Sequence, residues 1–137
     1  MTIVQSVDRP GPPPWEPALR AIAMPADTNP NGDIFGGWLL SQMDLAGGYA
    51  AGQRVRGRVA TIAIEAMKFH RPVVVGDEVS CYASITKLGR TSITILVEAW
   101  ARPLHGDQRT KVTEGVFTFV AIDDQRRPRQ IDQSQPG

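Results

Sequence analysis

The sequence predicts an α+β fold in which one long helix lies across an antiparallel sheet of about five strands. Helix-forming and small residues run from position 35 to position 52. Four stretches rich in β-branched residues follow, separated by turns that contain glycine or proline. One helix must therefore cover the apolar face of one sheet, and 137 residues are enough to bury such a core in a single domain.

The strands follow from the local pattern. A short first strand is expected before the helix, over residues 19–24. After a polar connector at residues 53–58, we expect an antiparallel meander of four strands, at residues 59–69, 78–88, 91–101 and 111–122. In the second of these, Val79 and Cys81 share the apolar face of a period-two pattern, as a half-buried strand requires.

The predicted helix is rich in small residues. A glycine in a helix interior costs about 0.5–1 kcal/mol relative to alanine, so a cluster of glycines needs a compensating contact. We therefore expect the sheet to approach the helix backbone closely. The small residues are Ala46, Gly47, Gly48, Ala50, Ala51 and Gly52.

Composition excludes several classes of function. The chain has 15 Lys and Arg against 14 Asp and Glu, and a net charge of +1 gives no reason to expect nucleic-acid or membrane-surface binding. Cys81 is the single cysteine and the two histidines are far apart, so neither a disulfide framework nor a metal site is expected. No apolar run approaches the roughly 20 residues of a membrane-spanning helix, and no signal core is visible. The expected location is the cytoplasm.

Two segments flank the predicted domain, which covers residues 19–123. Residues 1–18 are expected to be a proline-rich arm, because PGPPPWEP at residues 10–17 cannot form a helix or an interior strand. Residues 124–137 are polar, and we expect a solvated, fraying tail there.

A turn-forming loop leads directly into the helix. Residues 29–32, Asn-Pro-Asn-Gly, favour turns, and Asp33 is placed to cap the helix that follows. Gly36 and Gly37 leave the first helical turn without side chains. Backbone amides at this positive end of the helix dipole attract negative charge, and a ligand can approach them closely. The amides of Gly36 or Gly37 are therefore candidate oxyanion donors.

Asp44 is the sole carboxylate of the predicted helix. Its neighbours Met43, Leu45 and Ala46 would partly desolvate it, which makes Asp44 a candidate general base or nucleophile. Eight residues separate Asp44 from Gly36, a distance of about 12 Å along a helix that rises 1.5 Å per residue. Unless the helix is bent or broken, one carbonyl cannot touch both residues of the same subunit. We therefore expect an obligate homodimer.

Four strings of this sequence resemble one family. They are DTNPNGDIFGGWLLSQMD at residues 27–44, KFHRPVVVGDEV at 68–79, KLGRTSITI at 87–95 and TEGVFTFVAID at 113–123. With these strings the chain resembles the YciA-type acyl-CoA thioesterases of the hot-dog fold, over about residues 21–122. In that fold one long central helix is wrapped by an antiparallel sheet.

The resemblance implies a reaction and an assembly. Acyl-CoA would be split into a free acid and coenzyme A, with no metal or redox cofactor and with broad specificity for short and medium acyl chains. Hot-dog subunits pair side by side into a continuous sheet, often as trimers of dimers, with active sites at the interface. Asn29 of one subunit would then face Asp44 of the other. From the residues alone, a role for Asn29 as a turn residue or cap is equally open.

The resemblance also places several side chains near coenzyme A. Arginine forks suit phosphate, and hairpin hydroxyls and amides can add to them. Without the resemblance, charges at strand ends indicate only solvation, and His70 alone could be a structural histidine. The residues are Phe35, His70, Arg71, Lys87, Arg90, Thr91 and Ser92.

Two other functions stay open. A hydratase or dehydratase acting on acyl thioesters typically uses a histidine with a carboxylate, and no histidine lies on or near the predicted helix, which counts against this class. A non-catalytic acyl-CoA sensor could share the fold, but Asp44 together with Asn29 and the glycine pair favours catalysis. The sequence does not decide whether Asp44 activates water or attacks the thioester to form an anhydride.

Overall fold

A computed structural model describes residues 10–134. Its elements are β1 (Leu19–Ile22), a 3-10 turn (Pro25–Asp27), α1 (Gly36–Val55), β2 (Val59–Phe69), β3 (Glu78–Leu88), β4 (Ser92–Arg102) and β5 (Thr110–Ala121). One helix and one five-stranded antiparallel sheet confirm the predicted α+β fold, and every strand boundary agrees with its prediction within two residues. Residues 1–9 of the predicted arm and residues 135–137 of the predicted tail lie outside the described residues.

The strands lie in the order β1-β3-β4-β5-β2. Strands β3, β4 and β5 form the expected meander, but the expectation that β2 belongs to the same meander, beside β3, is wrong. β2 crosses to the far edge of the sheet and pairs antiparallel with β5, and β1 pairs with β3 instead. The connection between β2 and β3, residues 70–77, contains Pro72 and exceeds the two to five residues of ordinary hairpin loops.

Helix α1 packs closely on the inner face of the sheet. Its residues Leu39 and Met43 are buried in the core. A Cβ atom at Gly47 would lie 2.9 Å from Cζ of Phe119 and 3.4 Å from Cγ2 of Val97. The predicted close approach of the sheet to the helix backbone is therefore confirmed at Gly47.

Helix α1 ends at Val55, one turn later than predicted. Arg56 adopts a left-handed conformation (φ 54°, ψ 49°), and its amide donates to the carbonyl of Gly52. This arrangement is a common way to end a helix, although the left-handed residue is usually glycine or asparagine. The sequence signal for the end of the helix was therefore weak, because arginine has no preference for the left-handed conformation.

Residues 124–134 are mostly exposed, as a solvated tail would be, but hydrogen bonds and one buried side chain fix the segment, so the expectation that it frays is wrong. Oδ1 of Asp123 accepts hydrogen bonds from the amides of Gln125 (2.8 Å) and Arg127 (2.9 Å), which form a tight turn after β5. The chain then returns, and Ile131 is buried in the core with 3% of its surface exposed. A single apolar residue anchors a segment that otherwise has the composition of a tail.

Candidate active site

The loop before α1 is organised by Asn29. Its Oδ1 accepts hydrogen bonds from the amides of Asn31 (2.9 Å) and Asp33 (3.1 Å), and its own amide donates to the carbonyl of Asp33 at 2.7 Å. The structure thus shows the turn role for Asn29. Nδ2 of Asn29 makes no hydrogen bond with any other residue in the described part of the chain.

The first turn of α1 has open backbone donors. Phe35 occupies the N-cap position without a side-chain hydrogen bond, so the expectation that Asp33 caps the helix is wrong. The loop carries Asp33 two residues ahead of the cap, where its backbone pairs with Asn29. Within residues 10–134, the amides of Gly36 and Gly37 make no hydrogen bond. The helix start therefore presents two free N–H groups at its positive end.

Asp44 is held by a side chain of β2. Oγ1 of Thr61 donates a hydrogen bond to Oδ1 of Asp44 at 2.7 Å. Strand β2 shifts register between Thr61 and Ala63, and such bulges redirect side chains. Asp44 and Thr61 line one cleft of about 380 Å³, together with Leu45, Gly48, Tyr49, Val59 and Phe119. The carboxylate therefore stands at the wall of a largely apolar cleft.

Asp44 and the open amides are separate half-sites in one chain. Helix α1 runs without interruption from Gly36 to Val55, so the helical rise keeps Gly36 about 12 Å from Asp44 along the axis. The helix is not broken between them, so one subunit does not bring Asp44 and the Gly36 amide to the same carbonyl.

His70 and Arg71 follow β2 and lie beside the helix start. With Gly36 and Leu39 they line a second cleft of about 280 Å³. A Cβ atom at Gly36 would lie 3.6 Å from the ring of Phe69, an ordinary contact. The expectation that no histidine lies near the helix is wrong, because the end of β2 returns to the start of α1.

His70 is held by a buried carboxylate. Nε2 of His70 lies 3.0 Å from Oε1 of Glu114, and Nζ of Lys111 lies 3.1 Å from the same oxygen. The exposed fractions of the side chains are 39% for His70, 6% for Glu114 and 10% for Lys111. Sequence reasoning missed Thr61 and Glu114, because each is an ordinary strand residue whose partner is distant in the chain. It also missed Lys111, whose nearby ion pair with Glu114 has no meaning for the site until His70 joins it.

The hairpin between β3 and β4 lies far from His70. It carries the other predicted coenzyme-binding residues, which are Lys87, Arg90, Thr91 and Ser92. On β5 the residue opposite Ser92 is Val120, whereas the residue opposite Phe69 is Thr113. Seven residues of strand span about 23 Å. One chain therefore does not bring the two predicted groups together.

Cys81 is buried in the core, and burial raises the pKa of its thiol to about 12. The thiol packs in the core and is unreactive, as its place in the strand pattern predicts.

Residues 10–134 contain no helix with the length and apolar character needed to cross a membrane. Over the same range no three His, Cys, Asp or Glu side chains are grouped so as to hold a metal ion.

Comparison with known sequences identifies a family. Residues 31–105 match the family model described as the thioesterase superfamily. The acyl-CoA thioester hydrolase YciA of Salmonella typhimurium is 51% identical over 122 residues, which cover 87% of this chain and 92% of that protein.

Solved structures give the same result. HI0827, described as a hexameric broad specificity acyl-coenzyme A thioesterase and crystallised as an aspartate-to-alanine mutant, matches with a TM-score of 0.83 and 48% identity, covering 86% of this chain and 87% of that one. Cj0915 of Campylobacter jejuni, a hexameric hotdog fold thioesterase, matches with a TM-score of 0.82 and 41% identity, covering 87% and 92%. The expected hot-dog fold is thereby confirmed. The chain belongs to the thioesterase superfamily and, within it, to the YciA-type acyl-CoA thioester hydrolases.

Proposed function

We propose that this chain hydrolyses acyl-CoA to a free carboxylic acid and coenzyme A, without a metal or redox cofactor and in the cytoplasm. The observation that carries the proposal is Asp44, held by Thr61 at the wall of an apolar cleft. The Salmonella relative is named for this activity, and HI0827 is described as broad in specificity, which supports a range of acyl chains as substrates.

Asp44 supplies the attacking or directing group. Thr61 occupies Oδ1, so we assign the chemistry to Oδ2. As a general base, Oδ2 takes a proton from water while the water oxygen attacks the carbonyl carbon. The tetrahedral intermediate then collapses, the C–S bond breaks, and coenzyme A leaves as a thiolate that takes up the proton.

The alternative route makes Asp44 the nucleophile. Oδ2 attacks the thioester carbonyl, the thiolate leaves, and water hydrolyses the resulting anhydride. Single turnover in water labelled with oxygen-18 separates the routes. Label incorporated into Asp44 favours the nucleophilic route, and its absence favours the general base.

The amides of Gly36 and Gly37 are the proposed oxyanion donors, and Nδ2 of Asn29, in the loop that leads into the helix, is proposed to act with them. Their hydrogen-bonding capacity is unused by the described residues, and the helix dipole favours the negative charge that develops on the carbonyl oxygen. Since Asp44 lies about 12 Å along the same helix, these donors serve a thioester attacked by the Asp44 of a partner subunit.

A homodimer completes the site. In the described part of the chain, β2 is an edge strand of 11 residues, and Ile62 is 58% exposed. On the adjoining helix face, Leu45 is 61% and Tyr49 is 60% exposed. Long apolar edges rarely stay uncovered, and antiparallel pairing with a second β2 would cover this one. HI0827 and Cj0915 are hexameric, which supports a trimer of such dimers.

The same pairing would unite the two coenzyme-binding groups. Antiparallel alignment about a twofold axis brings the end of one β2 next to the start of the other. The start of β2, at Val59, pairs with Ala121 at the end of the sheet that carries the β3–β4 hairpin. His70 and Arg71 of one subunit would therefore face the β3–β4 hairpin of its partner, which carries Arg90, across the interface. Phe35, at the start of α1, is proposed to belong to the same coenzyme-binding group as His70.

Thiol release from a series of acyl-CoA chain lengths tests the proposal. We expect turnover by the wild type, and a loss in kcat of at least about 10²-fold for Asp44→Ala, since positioned acid–base groups contribute that much. Asp124→Ala, at an exposed turn position, is the matched control and should keep wild-type activity. If no acyl-CoA yields thiol above background while the wild type still binds coenzyme A, the hydrolase proposal fails.

Hydration of 2-enoyl-CoA should be assayed alongside, because His70 does lie near the helix start. Its partner is Glu114, so a histidine–carboxylate pair is present. Hydrolysis is favoured because Asp44 stands at the wall of a different cleft, whose described lining residues include no histidine. Hydration without thiol release would reverse that conclusion.

A further inference from the structure

The C-terminal segment, residues 128–134, is an integral part of the fold. The amide of Arg129 donates to the carbonyl of Ala121 at 2.9 Å, and Ile131 is buried in the core. These contacts leave the segment fixed along the end of the sheet, beside the β3–β4 hairpin.

The segment is hydrogen-bonded to the end of α1. Nη2 of Arg129 donates to the carbonyl of Val55 at 2.8 Å, and Nη1 of Arg54 donates to the carbonyl of Asp132 at 3.1 Å. Val55 is the last helical residue, and the final carbonyls of a helix have no intrahelical partner. The side chain of Arg129 satisfies one of them and ties the segment to the helix that carries Asp44.

The segment also holds the hairpin between β3 and β4. The amide of Ile131 donates to the carbonyl of Arg90 at 2.8 Å, and Nε2 of Gln133 donates to the carbonyl of Gly89 at 3.1 Å. The next carbonyl, of Thr91, accepts the amide of Ala121 at 2.8 Å. Three consecutive carbonyl oxygens are thus engaged within the protein.

Carbonyl oxygens that already accept hydrogen bonds within the protein are compatible with an anion bound at the same turn. Carbonyl oxygens repel phosphate, whereas a guanidinium group and a hydroxyl attract it. Among the residues that the structure describes, the side chains of Arg90 and Thr91 make no hydrogen bond. They are the groups that this turn can offer to a ligand.

We propose that the C-terminal segment positions the hairpin for the phosphate-bearing nucleotide end of coenzyme A, with Gln133 as a positioning residue. The proposal rests on the proposed function, because the hairpin meets a nucleotide only if the substrate is an acyl-CoA. Gln133 acts through Gly89 and Arg90 and does not touch the substrate. Since the same segment is hydrogen-bonded to both α1 and the hairpin, it fixes the position of the hairpin relative to the helix.

Gln133→Ala removes the link, and its matched control is Gln130→Ala. Both glutamines are exposed, and Gln130 forms no side-chain hydrogen bond with a described residue. The two substrates are an acyl-CoA and the same acyl group on pantetheine, which lacks the nucleotide. We expect Gln133→Ala to raise KM for acyl-CoA about fivefold, the effect of one typical hydrogen bond. Its kcat and both constants for acyl-pantetheine should not change, and Gln130→Ala should match the wild type.

A double-mutant cycle with Arg90→Ala separates positioning from general destabilisation. If Gln133 acts through the hairpin, Gln133→Ala adds little to KM once the Arg90 guanidinium is gone. An unchanged KM in Gln133→Ala, additive effects in the cycle, or equal losses with both substrates would each overturn the proposal. Absence of thiol release by the wild type would instead refute the proposed function, so the two failures are distinguishable.

Discussion

Oγ1 of Thr61 lies 2.7 Å from Oδ1 of Asp44 and joins the edge strand β2 to the central helix. The donor stands at a bulge of β2, and the acceptor lies in the middle of α1. The hydrogen bond fixes one oxygen of the carboxylate and leaves the other for chemistry. It also places Asp44 beside the strand that we propose as the dimer interface.

Replacing Thr61 with valine tests this relationship. Thr61→Val keeps the shape of the side chain but removes the donor. We expect kcat to fall by about 10- to 100-fold, because a hydrogen bond to a charged group contributes about 1.5–3 kcal/mol. KM should change little. Thr61→Ser keeps the hydroxyl and should stay within about threefold of the wild type. A wild-type kcat in Thr61→Val would show that the bond has no role in orienting Asp44.

A proline at position 36 deletes one proposed oxyanion donor. Proline is well accepted in the first helical position, and Phe35 already has the extended conformation (φ −53°, ψ 131°) that precedes proline. We expect Gly36→Pro to lower kcat by about 10²–10³-fold, as the loss of an oxyanion donor typically does. Gly36→Ala keeps the N–H group and is the control. Equal activity of the two variants would move the donor role to Gly37.

The close packing at Gly47 predicts a stability effect. A methyl group there would meet the buried ring of Phe119 at 2.9 Å, so Gly47→Ala should lower the free energy of unfolding by about 1–3 kcal/mol. At Gly48 the same atom would lie 3.6 Å from that ring, an ordinary contact. Gly48→Ala should therefore be neutral or stabilising in urea unfolding. A larger loss of stability in Gly48→Ala than in Gly47→Ala would contradict this packing.

Cys81 predicts a pH effect on stability. Burial raises the pKa of its thiol in the folded state to about 12 from 9.0. Above about pH 9 the unfolded chain binds fewer protons than the folded one, so this thiol makes the free energy of unfolding fall as pH rises toward 12. Urea unfolding at about pH 8 and about pH 10.5 should show a smaller fall for Cys81→Ala. Identical falls would mean that the thiol ionises equally in both states.

Much of the fold was predictable because its signals are local. Strands β2 and β3 have their predicted bounds, set by β-branched runs between a glycine-containing connector and turns at Pro72 and Gly76. The partner of β2 was not predictable in this way. Its pairing with β5 joins residues far apart in the chain, and a period-two pattern does not say which strand lies alongside.

The same limit applies to the site. Asp44 and the Gly36 amide were found from their own neighbours, as a carboxylate in an apolar helix and a bare helix start. Thr61 and Glu114 were missed, because each acquires its importance from a contact made only on folding, 2.7 Å to Asp44 and 3.0 Å to His70. Ile131 shows the limit most plainly, since one buried side chain turns an apparent tail into structure.

Subunit complementation tests the central claim, that each active site takes Asp44 from one subunit and the Gly36 amide from the other. Asp44→Ala and Gly36→Pro are each expected to be inactive as homo-oligomers. Coexpression with two affinity tags isolates mixed assemblies. In every dimer that pairs the two variants, one site carries both defects and the other carries none. The account predicts about half of the wild-type kcat per mixed dimer, as a twofold interface requires. Mixed dimers no more active than either parent would place the whole site in one chain and contradict the account.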